Sequence, residues 1–176
     1  STQIDLAELV NSNSAKTGDV LAAEFQTAGR GRLDRTFEAA PGSALLFSFF
    51  IKPNRTRSEW GFISHLAALS MQEVISQDLP SQVRLKWPND IYYGNLKVGG
   101  LLIENQLAGS QISNSVIGIG INLNQEAFDN LPQAASITQL VRYVLNRKKC
   151  TAILLEHLDA TYLMLHQGRL SDIDSE

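Results

Sequence analysis

The sequence predicts an α+β domain in which helices flank a mixed, largely antiparallel central sheet, and three observations carry that expectation. Ala44 to Ile51 is an unbroken apolar and aromatic run of strand length, as a strand covered on both faces would be. Between Ser58 and Leu79, Trp60, Ile63, Leu66, Ala67, Met71, Val74 and Ile75 recur at three- and four-residue steps, the period of one long amphipathic helix. Four strand-length segments then follow, joined by turns too short for a crossover, so neighbours must run antiparallel.

Each element has its local reason. Asp5 to Val10, continuing from Ser1-Thr2, reads as a first helix, and the polar stretch Asn11 to Gly18 turns the chain into a strand at Asp19 to Phe25. Pro41-Gly42 marks a turn before the apolar strand, and Pro53 ends that strand. Ser58 is the expected cap of the long helix and Pro80 its stop. The four strands are Val83 to Trp87, Ile91 to Tyr93, Lys97 to Glu104 and Ile112 to Asn122, with turns at Gly94-Asn95 and Ala108-Gly109-Ser110. After a loop at Gln125 to Ala135, helices are expected near Ile137 to Leu145 and Thr151 to His166, the last stopped at Gly168. No internal repeat, low-complexity tract or linker divides the chain, so residues 1–176 read as a single domain.

Composition narrows the function. With 176 residues and 44% hydrophobic content the chain can bury a substantial core. It has no apolar run of membrane-spanning length and no basic start followed by an apolar block, so it reads as soluble, cytoplasmic and without a membrane partner. The single cysteine, Cys150, excludes an internal disulfide, and three scattered histidines argue against a zinc site. A net charge of −3 argues against nonspecific binding to DNA or RNA. Positive charge is local, which suits a small anion.

That local charge sits at Gln26 to Arg32, Gln-Thr-Ala-Gly-Arg-Gly-Arg. Gly29 and Gly31 let backbone approach a ligand closely, while Arg30 and Arg32 present planar forks of donors suited to phosphate or carboxylate. A solvated basic turn is the alternative. In Lys86-Trp-Pro-Asn-Asp90, proline holds Trp87 extended and fixes where Lys86, Asn89 and Asp90 point, although an ordinary strand-to-turn junction would look the same. Lys97 opens Lys-Val-Gly-Gly-Leu-Leu-Ile-Glu104, where a lysine beside paired glycines can reach a ligand lying on bare backbone. Gly118 and Gly120 in Val116 to Asn122 lack the third glycine and the helix start of a dinucleotide fingerprint, so they thin a strand instead, with Asn122 able to donate and accept. None of the histidines has a partner at triad spacing.

Gln-Thr-Ala-Gly-Arg-Gly-Arg, Lys-Trp-Pro-Asn-Asp, Lys-Val-Gly-Gly-Leu-Leu-Ile-Glu and Gly-Ile-Gly-Ile-Asn, in that order and spacing, resemble the catalytic domain of biotin protein ligases, from Ser1 to about Asn124 and more loosely beyond. The resemblance implies a fold similar to class II aminoacyl-tRNA synthetases and a two-step reaction. Biotin's carboxylate attacks the α-phosphate of ATP to give biotinyl-5'-AMP and pyrophosphate, and a lysine of a biotin carboxyl carrier protein domain then takes the biotin. It implies that Ser1, Thr2 and Gln26 meet the ureido ring, with Gln3 where the family carries asparagine. Gly29, Arg30, Gly31 and Arg32 would form the loop over carboxylate and phosphate, and Lys97 would bridge the two, making Lys97, Arg30 and Arg32 the catalytic set. Lys86, Asn89 and Asp90 would lie near the ATP phosphates and Mg2+, and Gly100, Gly118 and Asn122 would line the biotin and adenine sites. Phe37 stands where a tryptophan commonly covers the adenylate, and Leu33-Asp34 replaces a more basic or glycine-containing pair.

Magnesium would arrive with ATP, and no protein metal ligand is assigned. The family has a strand ahead of the position of Ser1, in some members an N-terminal DNA-binding domain, and in most a C-terminal SH3-like barrel. None of these is found within the 176 residues, so a repressor role is not expected of them, and a homodimer is compatible with the resemblance. A lipoate-protein ligase is a related alternative, although its Arg-Arg and triple-glycine signature is not found. A module that binds biotin or its adenylate without transferring it is another.

Overall fold

The computed structural model describes residues 1–33, 35–79, 83–129 and 131–167. Asp34, Pro80 and Gly168, to which the sequence assigned a loop difference and two helix stops, lie outside the described residues. The chain order is α1 (Thr2–Asn11), β1 (Val20–Ala23), β2 (Ala44–Ile51), β3 (Arg55–Thr56), a 3-10 turn (Arg57–Glu59), α2 (Trp60–Ser76), β4 (Val83–Lys86), β5 (Asp90–Tyr93), β6 (Leu96–Ala108), β7 (Gln111–Asn122), α3 (Ile137–Val141) and α4 (Arg147–His166). The strands form one sheet in the order β1-β2-β7-β6-β5-β4, with β3 pairing β7. Every described ladder is antiparallel, and a parallel contact occurs as an isolated bridge between Lys97 and Ala134.

Alternation along the strands gives the sheet two unlike faces. Phe47 pairs with Ile119 and Ile119 with Leu101; beside them Phe49 pairs with Ile117, and all five point into the main core. That core is closed by Ile63, Leu66, Ala67, Met71, Val74 and Ile75 of α2 and by Leu154, Leu158 and Leu165 of α4. Ser48, Gly118, Gly120 and Gly100 fall on the opposite face. One end of that face is covered by α1, whose Leu6 and Val10 pack on Phe50 and Val116 in a smaller cluster. Gly99, on the helix side, is required by close packing: a Cβ there would lie 2.8 Å from Met71 Cε and 2.9 Å from the Gly120 carbonyl oxygen.

Several boundaries differ from the sequence expectation. β1 is shorter than Asp19 to Phe25, and β6 runs on to Ala108 rather than stopping at Glu104. Ser58 does not cap the long helix, because it already lies inside the 3-10 turn. The Glu59 carboxylate instead accepts from the Thr56 amide at 2.9 Å and the Thr56 hydroxyl at 2.6 Å. Those two bonds hold the Glu59 carboxyl below its ordinary pKa. The helix expected over Ile137 to Leu145 ends at Val141, since Arg142 turns left-handed with φ 67°. α4 begins at Arg147 rather than Thr151, with the Asn146 side chain accepting from Lys149 N at 3.1 Å. No described helix is long and apolar enough to cross a membrane.

Two outcomes follow from this packing. Gly99→Ala should lower stability by about 1–3 kcal/mol through overpacking, measured as a reduced urea midpoint at unchanged slope. Burial, and secondarily the charge of Asp78, pushes the Cys150 thiol above its ordinary value. Because the folded pKa is raised, the thiol's contribution is complete below the unfolded value of about 8.5 and is lost as pH rises from there toward the folded value. Cys150 should therefore resist a disulfide reagent at pH 8 in buffer and react promptly in urea; equal rates would contradict its burial.

Candidate functional site

The polar residues of α1, β1's outgoing loop and β2 meet over the glycine face. Thr2 and Gln3, in the first turn of α1, are 5% and 3% exposed, and Ser48 of β2 is fully buried. The Gln26 side-chain oxygen accepts from Thr2 N at 2.8 Å, and the Thr2 hydroxyl, 3.3 Å from that oxygen, donates to Ser48 Oγ at 2.9 Å. Ser48 Oγ also donates to Gln3 Oε1 at 3.3 Å. Gly118 forms the floor: a Cβ there would come within 2.7 Å of Gln3 Oε1. Ser1 Oγ is buried at the edge of this group with no partner among the described residues. An unsatisfied buried hydroxyl is costly.

The arginine loop is a small ladder set above the same face. Gly31 N donates to Arg35 O at 2.6 Å, Phe37 N to Gly29 O at 3.3 Å, and Arg30 bridges Thr36. Gly29 is obligatory, because a Cβ would sit 2.0 Å from the Phe37 carbonyl oxygen. Phe37 lays its ring over Gly120, where a Cβ would come within 2.7 Å of it. Arg30 reaches down to Glu104, Nη1 to Oε1 at 3.0 Å. Arg32 is exposed, and its guanidinium meets no partner among the described residues.

At the other end of the face Lys97 Nζ contacts Asp90 Oδ1 at 2.6 Å. Gly100 pairs with both Asp90 and Gly120, and a Cβ on it would stand 3.4 to 3.5 Å from the Asp90 oxygen and from Lys97 Cε and Nζ. The bare backbone of Gly100 thus exposes the ion pair to the sheet surface. Gly100 and Glu104 lie four steps apart on β6, roughly 13 Å of strand. A cationic group at each end therefore brackets a glycine-floored strip with a buried polar cluster at one side. Asn122 closes the row, its Nδ2 donating to Ala135 O at 3.2 Å and its Oδ1 buried without a partner among the described residues.

Other sequence-selected residues stand outside this convergence. Asn89 is turned toward the backbone of β6, donating to Leu101 O at 3.3 Å and accepting from Leu101 N at 2.7 Å. Lys86 lies on the edge strand with Nζ 5.0 Å above the Tyr92 ring, beside a groove lined by Arg84 and Gln133. No group of three or more His, Cys, Asp or Glu side chains able to hold a metal gathers among the described residues. Two site members had no role assigned from the sequence. Ser48 was signalled as the one hydroxyl in the run Ala44 to Ile51, and Glu104 as the acidic end of the Lys97 motif.

The family model described as Biotin/lipoate A/B protein ligase family matches residues 1–122. The bifunctional ligase/repressor BirA of Bacillus subtilis is 32% identical over 158 residues, 90% of this chain and 48% of that protein. The biotin--[acetyl-CoA-carboxylase] ligase of Mycobacterium tuberculosis is 31% identical over 164 residues, 91% of this chain and 60% of that one. The chain thus spans about half the length of the curated relatives it matches. Among solved structures, a biotin protein ligase from Aquifex aeolicus in complex with biotin and ATP superposes with a TM-score of 0.77 at 29% identity, covering 93% of this chain and 67% of that one.

The pocket floor is directly testable. Gly118→Ala should push the Gln3 amide from its partners and cost about 1–3 kcal/mol, the penalty for weakening a buried hydrogen-bond set, read in thermal or urea unfolding. An unchanged midpoint would mean that Gln3 is not held as described.

Proposed function

We propose that this chain, which belongs to the biotin/lipoate A/B protein ligase family, activates biotin with ATP to biotinyl-5'-AMP and passes the biotin to a lysine of a biotin carboxyl carrier protein. The observation that carries the reading is the strip itself. Buried Thr2, Gln3 and Ser48 with half-buried Gln26 present donors and acceptors at one end, and Lys97 with Asp90 stands at the other on bare Gly100. A ureido ring offers two N–H donors and a carbonyl, which match such a pocket. The dithiolane of lipoate offers neither, so the pocket favours biotin within a family whose description names both.

The chemistry asks for charge neutralisation rather than a protein nucleophile. In the first step a carboxylate oxygen bonds to the α-phosphorus while its bond to the bridging oxygen breaks, and pyrophosphate leaves with that electron pair. Two anions must be brought together, and the charge of Lys97 would lower that repulsion. Arg30 rests on Glu104 at the pocket end, and the loop ladder of residues 29 to 37 is the element that would carry it onto the reacting groups. Phe37 offers a ring for the adenine side and Asn122 Oδ1 an acceptor. In the second step a neutral lysine amine attacks the acyl carbon, AMP departs and the amine loses its proton. The ATP substrate brings magnesium, held largely by phosphate oxygens and water. Of the residues here, Asp90 has the donor chemistry to assist it.

Residues 1–176 act in this reading as one catalytic unit. Incubation with biotin, MgATP and a carrier domain should release pyrophosphate and label the carrier; a folded sample that does neither refutes the activity. Lys97→Ala should slow adenylate formation by about 10²–10³-fold, the scale for losing one transition-state charge contact, whereas less than about tenfold would reduce Lys97 to a structural partner of Asp90. Arg30→Lys should also impair it, because a point charge does not replace a planar fork. Limited proteolysis within residues 27 to 37 should slow when biotin and MgATP are both added, and equal cleavage would argue against loop closure.

A further inference from the structure

Glu104 has no part in the chemistry above, yet it touches both the pocket and the loop. Gln3 Nε2 donates at 3.0 Å to a Glu104 carboxylate oxygen and at 3.0 Å to Val116 O. An ionised carboxylate and a carbonyl can only accept, so the amide is held one way round, with its NH2 toward them. Its oxygen, Oε1, must then lie over Gly118, where the missing Cβ leaves room. There it takes one hydrogen bond from Ser48 and keeps a second lone pair for a ligand donor. The other Glu104 oxygen holds Arg30 in an ion pair whose side chains are 47% and 37% exposed, a setting in which solvent leaves little net energy. The consequential contact of Glu104 is therefore the one to buried Gln3.

We propose that Glu104 is a positioning residue that sets ligand specificity: by fixing Gln3 Oε1 as an acceptor, it makes the pocket select a ring N–H and reject an acceptor atom at the same place. This rests on the biotin reading, in which the ring N–H belongs to the ureido group. A glutamine at position 3 suits the role, since its amide spans from Val116 O and Glu104 on one side to Gly118 on the other.

The test compares wild type, Glu104→Gln and Glu104→Ala by calorimetry with two ligands, biotin and a cyclic carbamate analogue in which one ureido N–H is replaced by oxygen. Wild type should prefer biotin by on the order of 10²-fold or more, because a site built around a donor rejects a ligand lacking it. Glu104→Ala leaves the Gln3 NH2 with Val116 O as its one remaining acceptor, so the amide turns more readily. It should weaken biotin by about tenfold and narrow the preference by at least about fivefold, since the turned amide can now donate to the ring oxygen. Glu104→Gln still offers an oxygen to Gln3 Nε2 and should keep both biotin affinity and preference within about threefold of wild type. If both variants keep the wild-type preference, even with weaker binding, Glu104 is merely structural and the proposal falls. If the preference narrows as much in Glu104→Gln as in Glu104→Ala, charge rather than amide orientation is responsible, which also overturns it. Failure of folded wild type to bind biotin would overturn the biotin reading itself, and is distinguishable because it appears before any substitution is made.

Discussion

The pairing register of β2, β7 and β6 governs everything else. Side chains alternate between faces along a strand, so the same three strands supply Phe47, Ile119 and Leu101 to the core and Ser48, Gly118 and Gly100 to the site. A slip of one residue would exchange the two sets, burying a serine and glycines against α2 and α4 and exposing aromatic and branched side chains. Register is thus fixed by core burial, and the site inherits its geometry from a choice made on the opposite side of the sheet.

Because glycine and serine contribute little apolar burial, the site face has to be stabilised by other means. α1 does this at one end with Leu6 and Val10, and it places Thr2 and Gln3 while doing so. The result is a buried polar face in which most polar atoms are paired, with the Ser1 hydroxyl and the acceptor Asn122 Oδ1 as exceptions among the described residues. Such clusters are rigid when satisfied and costly when disturbed. A cation paired with a carboxylate stands at each end of the strip, Arg30 on Glu104 and Lys97 on Asp90, with Arg32 exposed beside the first. This local arrangement lets an acidic chain present cations to a small anion without a basic surface.

Much of this was legible in the sequence, and the failures have identifiable causes. The strand Ala44 to Ile51 and the long helix were clear because their periodicities are strong and tertiary packing agrees with them. The helix start was misplaced although Thr56 and Glu59 spell a capping pair, since Ser58 stood nearer the first apolar residue. The break at Arg142 had no local signal, because arginine rarely adopts a left-handed backbone unless its surroundings impose it. In the site, the glycine and arginine motifs could be read from residue type. The function of Glu104 could not: its partner Gln3 lies 101 positions away in sequence, and the two meet through the docking of α1 on the sheet.

The chain has two tryptophans, Trp60 at the start of α2 and Trp87 before Pro88, and they stand together with ring centroids 6.4 Å apart. Trp60 is 40% exposed and Trp87 73%. All of the indole emission therefore originates at one place on the surface, three residues in sequence from Asp90, and within range for excitation energy to pass between the rings. The molecule carries its own optical reporter on the segment that leads to the Lys97 end of the strip, and no label need be introduced to observe it.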